Sequence, residues 1–211
     1  VEAGLRSFNM SMPEEINRIL TDRISKVLFC PSEQAVLNLK NEGYENQNVD
    51  IIHTGDVMLD AMLALKDVAN KPENVKTSEN FILATCHRQE NTDDPSALKN
   101  IINAMNQVHQ DVATVFCPLH PRTLKKIRDQ KIDIKFIQLE PLGYLEMLWL
   151  LKNCSLVLTD SGGLQKEAFF MGKYCITLRE QTEWIELVEE QVNTLVGHDT
   201  QKIIYAVKEN Y

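Results

Sequence analysis

The chain has 211 residues, 44% of them hydrophobic and 25% charged, with a formal net charge of -8. That is enough apolar residue for one large or two small domains with real cores, and the acidic balance gives no basic footprint for nucleic acid, so a disordered chain and a nucleic-acid binder are both excluded as expectations. No apolar run reaches bilayer-spanning length. The cysteines Cys30, Cys86, Cys117, Cys154 and Cys175 are odd in number and lack the close pairing of zinc sites, so they read as reduced core thiols of a cytoplasmic protein without metal or disulfide framework.

In chain order, Val1-Glu2-Ala3-Gly4 has neither an initiator Met nor a signal-peptide layout and is expected to lie inside a longer polypeptide, as a short strand end before a loop. Pro13 followed by Glu14 and Glu15 suits a helix N-terminus, with Ile16, Ile19, Leu20 and Ile24 as its buried stripe. A strand over 27–30, a helix capped by Ser32 and running to about Asn41, a strand over 49–53 and a helix over 57–66 follow. The polar stretch 70–80 marks a boundary, giving domains over 1–69 and 70–211. After it strands and helices alternate: strands over 81–85, 112–117, 134–138, 156–158, 174–178 and 194–196, and helices over 95–110, 123–129, 144–153, 164–171 and 200–211. This order predicts an α/β protein with a parallel, doubly wound sheet, whose ligands gather beyond the carboxyl ends of the strands.

The most informative stretch is 156–172, LVLTDSGGLQKEAFFMG, in which an apolar strand stops at Thr159-Asp160-Ser161, passes Gly162-Gly163 and enters a helix. Adjacent glycines let backbone approach a ligand, and the first-turn N–H groups with the helix dipole favour a phosphate. A glycine-relaxed turn with no ligand is an equal reading of the stretch alone. The segments after the other strands include Cys86-His87-Arg88, Leu119-His120-Pro121-Arg122, Glu140-Pro141-Leu142-Gly143 and Arg179-Glu180-Gln181-Thr182-Glu183. Each His or Arg singly is an ordinary loop residue, but gathered at one rim of an acidic chain they could neutralise a diphosphate.

The motifs VEAGLR, PEEINR, HTGDVMLDAM, CHRQEN, PLHPRT, TDSGGLQKEA and LREQTEW, in this order and spacing, resemble the non-hydrolysing UDP-N-acetylglucosamine 2-epimerases. That resemblance implies a GT-B-like architecture: a complete C-terminal Rossmann-like unit that binds UDP, preceded by the tail end of an N-terminal one, with roughly the first hundred residues of the family pattern not in this sequence. It implies a homodimer, a UDP-sugar substrate and no cofactor. It places Glu2 and Glu14 as acid/base carboxylates, although by composition alone they are a loop glutamate and a helix-start glutamate. His87 falls on the substrate phosphates, Ser161, Gly162 and Gly163 on the phosphate turn, Glu167 on the ribose hydroxyls, and Leu142 and Met147 on the uracil pocket. His120 falls where some bacterial members bind a regulatory substrate molecule.

The implied reaction eliminates UDP across carbons 1 and 2 to a 2-acetamidoglycal and re-adds it with the proton delivered to the opposite face, since no carbonyl acidifies the carbon 2 hydrogen. Such chemistry needs carboxylates and a phosphate cradle that holds the leaving group between half-reactions. One departure is informative: Thr182-Glu183-Trp184 stands where the family commonly has Thr-Glu-Arg, putting Trp184 beside Arg88, Arg179 and Glu183 on the sugar side. An indole and a guanidinium do not recognise the same groups, and the variant resembles members acting on UDP-2,3-diacetamido-2,3-dideoxyglucuronate. A GT-B glycosyltransferase and a silent UDP-sugar-binding fragment stay as alternatives of another class.

Overall fold

A computed structural model describes residues 2–73, 75–76 and 80–211. Val1 and, within the polar stretch, Asn74 and residues 77–79 lie outside the described residues. The chain divides into two compact units, residues 1–61 and 62–211, so the division falls between Ala61 and Met62 and not in the polar stretch.

The first unit contains α1 (Pro13–Ile24), β1 (Val27–Cys30), α2 (Glu33–Asn41), a 3-10 turn at Tyr44–Asn46 and β2 (Asp50–His53). Strands β1 and β2 run parallel, in register from Val27 opposite Asp50 to Cys30 opposite His53. Residues 2–5 form a turn instead of the expected strand end, although the Ala3 N–H donates to the Phe29 carbonyl at 3.0 Å. Helix α1 starts at Pro13 as its Pro-Glu-Glu opening predicts, but the expected apolar stripe is not its buried face. Ile24 is 88% exposed and Leu20 59%, with Ile16 exposed as well. The buried side carries Glu15 and Asp22, because the helix rests on the polar loop before it. The Glu15 carboxylate accepts from the Ser7 and Phe8 N–H groups at 2.9 and 3.0 Å. Asp22 accepts from the Gly4 N–H at 3.1 Å and pairs with buried Arg6 at 2.8 Å, while Arg6 also forks onto Glu42 at 2.6 and 3.0 Å. Satisfied charge thus holds this face of the helix against the loop.

Helix α3 (Val57–Leu65) spans the division between units, and only Met62 on it is fully buried. The second unit has β3 (Phe81–Thr85), β4 (Thr114–Pro118), β5 (Ile137–Leu139), β6 (Leu156–Thr159), β7 (Tyr174–Thr177) and β8 (Asn193–Leu195). They form one fully parallel sheet in the order β5-β4-β3-β6-β7-β8. Alternate strand residues feed two cores. Ile82, Ala84, Val115, Leu158 and Ile176 pack under α5 (Pro95–Asp111), α6 (Pro121–Asp129) and α10 (Thr200–Asn210). On the other face Phe81, Leu83, Phe116, Val157 and Cys175 pack under α7 (Tyr144–Asn153) and α8 (Gly162–Phe170). A parallel sheet covered on both faces explains why these strands read as continuous apolar runs. Two short helices, α4 (Gln89–Asp93) and α9 (Ile185–Glu189), were not among the predicted elements. Each unit is α/β with parallel strands, as the GT-B resemblance implies.

The strand order places the switch point between β3 and β6: from β3 the chain proceeds to β4 and β5 on one side, from β6 to β7 and β8 on the other. The loops that leave these two strands therefore diverge and open a crevice at their carboxyl ends.

Candidate functional site

At that crevice the chain after β6 reads Asp160-Ser161-Gly162-Gly163, and Asp160, at 0% exposed, is its hub. Its carboxylate accepts from the His87 N–H at 3.1 and 3.0 Å, the Arg88 N–H at 3.0 Å and the Asn91 side-chain amide at 3.2 Å. The His87 ring Nδ1 stands 3.3 Å away. Asn91 also donates to the Leu178 carbonyl at 2.9 Å, which ties in the loop after β7. Below the hub the Thr85 and Thr159 hydroxyls bond across β3 and β6 at 2.5 Å, and Thr159 accepts from the Ser161 N–H at 2.9 Å. Burial, with the Asp160 charge next, pushes the Cys86 thiol well above its ordinary range, so it is no nucleophile.

Ser161 is the N-cap of α8, its hydroxyl accepting from the Leu164 N–H at 3.4 Å. Above this turn opens a cavity of about 610 Å³. Its anion-friendly end is formed by His87, Ser161 and Gly163, with His120 and Arg122 from the β4 loop on the same wall. Leu142 and Met147 supply apolar lining and pack on the sheet's second core, and Glu167, one turn along α8 from Gly163, lines the cavity as well. Burial raises the Glu167 carboxyl above its usual value, offset in part by a hydrogen bond from the Tyr144 hydroxyl. Tyr144, itself lining the cavity, is pushed up to about 12 by loss of surrounding water and then by the Glu167 charge. A cavity lined by cationic and N–H donors, apolar side chains and one carboxylate has the chemistry that suits a nucleoside diphosphate: phosphates on the turn, base on the apolar residues, diol on the carboxylate.

The structure thus brings His87, His120, Leu142, Met147, Ser161, Gly163 and Glu167 to one cavity. His120 doubles as the N-cap of α6, its Nδ1 accepting from the Arg122 N–H at 3.2 Å, and Arg122 is drawn to Asp93 at 2.8 Å. The remaining predicted residues form a second group behind the turn. Arg179 is buried and pairs with Glu183 at 2.9 Å, and Arg88 reaches the same carboxylate at 4.0 Å. Trp184, expected on the sugar side, is 4% exposed and turned inward, its indole N–H donating to the Gly162 carbonyl at 2.9 Å. The change from guanidinium to indole lets this position bury against the turn, which a charged group could do only with a partner. Asp160 and Tyr144 are residues of this candidate site that the pattern did not single out. An Asp inside a Thr-Asp-Ser turn and a Tyr opening a helix carry no signal of the partners that β3 and α8 bring to them.

In the first unit, Glu2 and Glu14 line one depression of about 310 Å³ together with Asn17, Arg18, Thr21 and Asp22. Glu2 adopts a left-handed backbone at φ 62°, a conformation that costs a non-glycine residue energy and tends to persist where function needs it. Among the described residues no cluster of His, Cys, Asp and Glu could hold a metal ion, and no helix is long and apolar enough to cross a membrane.

The family profile described as UDP-N-acetylglucosamine 2-epimerase matches residues 1–211. The chain is 52% identical over 208 residues to the UDP-2,3-diacetamido-2,3-dideoxy-D-glucuronate 2-epimerase of Pseudomonas aeruginosa, covering 99% of this chain and 59% of that protein. The crystal structure of the Methanocaldococcus jannaschii UDP-GlcNAc 2-epimerase in complex with UDP-GlcNAc and UDP matches with a TM-score of 0.89 at 42% identity, over 100% of this chain and 61% of the other. The Neisseria meningitidis UDP-GlcNAc 2-epimerase bound to UDP-GlcNAc matches with a TM-score of 0.85 at 31% identity, over 99% and 60% of the two chains. The chain spans about three fifths of the length of these relatives.

Proposed function

The chain belongs to the UDP-N-acetylglucosamine 2-epimerase family, and from that premise we propose that the protein carrying it inverts carbon 2 of a UDP-linked, N-acetylated sugar, an isomerase reaction. One observation carries this: the phosphate turn, His87 and Glu167 share a single cavity at the sheet's switch point. There His87, Ser161 and the Gly163 backbone hold the diphosphate, with Gly162 buried behind the turn, while Leu142 and Met147 hold the uracil and Glu167 takes the ribose hydroxyls.

A carboxylate removes the carbon 2 proton, the carbon 1–oxygen bond to UDP breaks and a carbon 1–carbon 2 double bond forms. The diphosphate oxygen then re-adds to carbon 1 as a proton reaches carbon 2 on the other face. Glu2 and Glu14, which line one depression, are the groups assigned to these transfers. The diphosphate carries the charge that develops as the bond breaks, so a turn preorganised by the Asp160 hub lowers the barrier without rearranging. The 52% identical relative acts on the diacetamido glucuronate, and the Thr-Glu-Trp motif accords with it, so that sugar is proposed beside N-acetylglucosamine. The buried free thiols accord with a cytoplasmic setting, and the family resemblance with a homodimer.

The test is proton NMR in deuterium oxide, with a protein of the relatives' full length carrying this chain and each of the two UDP-sugars. Deuterium at carbon 2 of one epimer pair supports the proposal. Transfer of the sugar to an acceptor without that exchange would instead indicate a glycosyltransferase, and unchanged sugar a silent binding module. Light scattering over a concentration series reads the dimer.

A further inference from the structure

We propose that Trp184 is a positioning residue for the diphosphate turn, acting through the carbonyl of Gly162; this deepens, and rests on, the assignment of the cavity to UDP. The Gly162 carbonyl and the Gly163 N–H belong to the same peptide plane. Gly163 faces the cavity, whereas Gly162 is buried behind it. An indole N–H donated to the carbonyl at 2.9 Å therefore fixes the plane that aims the Gly163 N–H at the ligand. It also polarises that peptide, and hydrogen bonds in series strengthen one another.

The surroundings hold the indole for this task. Its own backbone N–H donates to the Thr182 hydroxyl at 3.2 Å, and Thr182 donates to the Gln165 side-chain carbonyl at 2.8 Å. Asn193 donates to the same Gln165 oxygen at 3.0 Å, and the Gln165 amide returns to the Ser161 carbonyl at 3.3 Å. The Lys166 ammonium sits 3.9 Å over the Trp184 ring. A Cβ at Gly162 would collide with the Glu183 carboxylate, which Arg179 pins at 2.9 Å. Glycine at 162 is thus what lets residues 179–184 back directly onto the turn, where Trp184 ties down the 162 carbonyl while Gln165, held by Thr182, bonds the 161 carbonyl.

The test is Trp184→Phe in the 211-residue chain, which removes the N–H and keeps a ring. Affinities for UDP and for uridine are measured by calorimetry and by NMR titration. One hydrogen bond lost at the diphosphate end predicts UDP binding weaker by about threefold to tenfold, with uridine unchanged within about twofold. Equal losses for both ligands, or no loss for UDP, overturn the proposal, because a residue that only packs the core would not separate them. If the variant does not fold, the unsubstituted chain answers: the Trp184 indole N–H resonance, assigned with Trp149→Phe, moves on saturation with UDP and stays with uridine. A resonance unmoved by UDP overturns the proposal. Should the unsubstituted chain bind neither ligand, the UDP assignment and this proposal fall together; intact UDP binding with an unchanged ratio removes only the role of Trp184.

Discussion

Removing the Asp160 carboxylate should unfasten the site and destabilise the second unit together. In Asp160→Ala, the His87 and Arg88 N–H groups and the Asn91 amide lose their shared acceptor. Each hydrogen bond to a charged group contributes about 1.5–3 kcal/mol, but the three are not additive, since water can reach the exposed His87 loop and Asn91 keeps its bond to Leu178. The net loss should be about 3–5 kcal/mol, from buried donors left without an acceptor at about 1–3 kcal/mol each, with part relieved by water. Asp160→Asn keeps one acceptor oxygen and turns an NH2 toward the remaining donors, so it should fall between parent and Ala variant. The assay is urea unfolding followed by tryptophan fluorescence, because Trp149 and Trp184 both lie in the second unit and report it alone. UDP titration in parallel should show affinity lost with the Ala variant. An Ala variant within about 1 kcal/mol of the parent would refute the hub, because leaving several buried donors without an acceptor costs more than that.

Glu167→Gln should trade binding for stability. Its folded carboxyl lies above the ordinary 4.5, so the folded state holds more protons than the unfolded and stability falls as pH rises from 4.5 through the raised value. At neutral pH the amide escapes that cost, so melting should rise by a few degrees, about 2–4 °C per kcal/mol, while UDP binding weakens about tenfold or more through loss of a charge-assisted bond; calorimetric scans with and without UDP read both. The Cys154 and Cys175 thiols are raised from 9.0 to about 12 by burial, so between those values the unfolded chain releases protons that the folded chain keeps. Urea midpoints should therefore fall as pH rises above about 9, with the thiols closed to a disulfide reagent until unfolding. In the first unit, Arg6→Ala leaves Asp22 as a buried, unpaired charge and should cost about 3–5 kcal/mol. Faster hydrogen exchange at the Ala3 and Gly4 amides measures it, and unchanged protection would argue against the pair.

The central strands β3 and β6 were legible because every residue on both faces is buried, so each reads as an uninterrupted apolar run between turn residues. The site's location followed from the same order through the switch-point rule, and most of its lining from residues at strand ends. What the sequence left unread depends on partners far along the chain. Helix α1 has a clear apolar stripe, yet on its other side Asp22 pairs with Arg6 and Glu15 accepts from the Ser7 and Phe8 N–H groups, and that face is the buried one. Trp184 stands next to Glu183 in the sequence, but its direction is set by the Gly162 carbonyl. Tyr144 opens a helix with ordinary chemistry and gains its role only when α8 brings Glu167 to its hydroxyl. Periodicity reports which side of an element differs from the other; it does not report what that side meets.

The pairing of β3 with β6 also bears on when the cavity can exist during folding. Its walls hang from strands matched from Ile82 opposite Leu156 to Thr85 opposite Thr159, and Asp160 grips a backbone 73 residues earlier in the chain. Closing a loop of that size costs chain entropy before any of these bonds repays it, so parallel pairing of this kind comes late relative to helix formation. A nascent or partly refolded chain can hold helices α5 and α7 and still offer a nucleotide nothing to bind. Recovery of UDP binding should therefore lag recovery of helical circular dichroism in a refolding experiment, which makes the ligand a clock for the last stage of assembly.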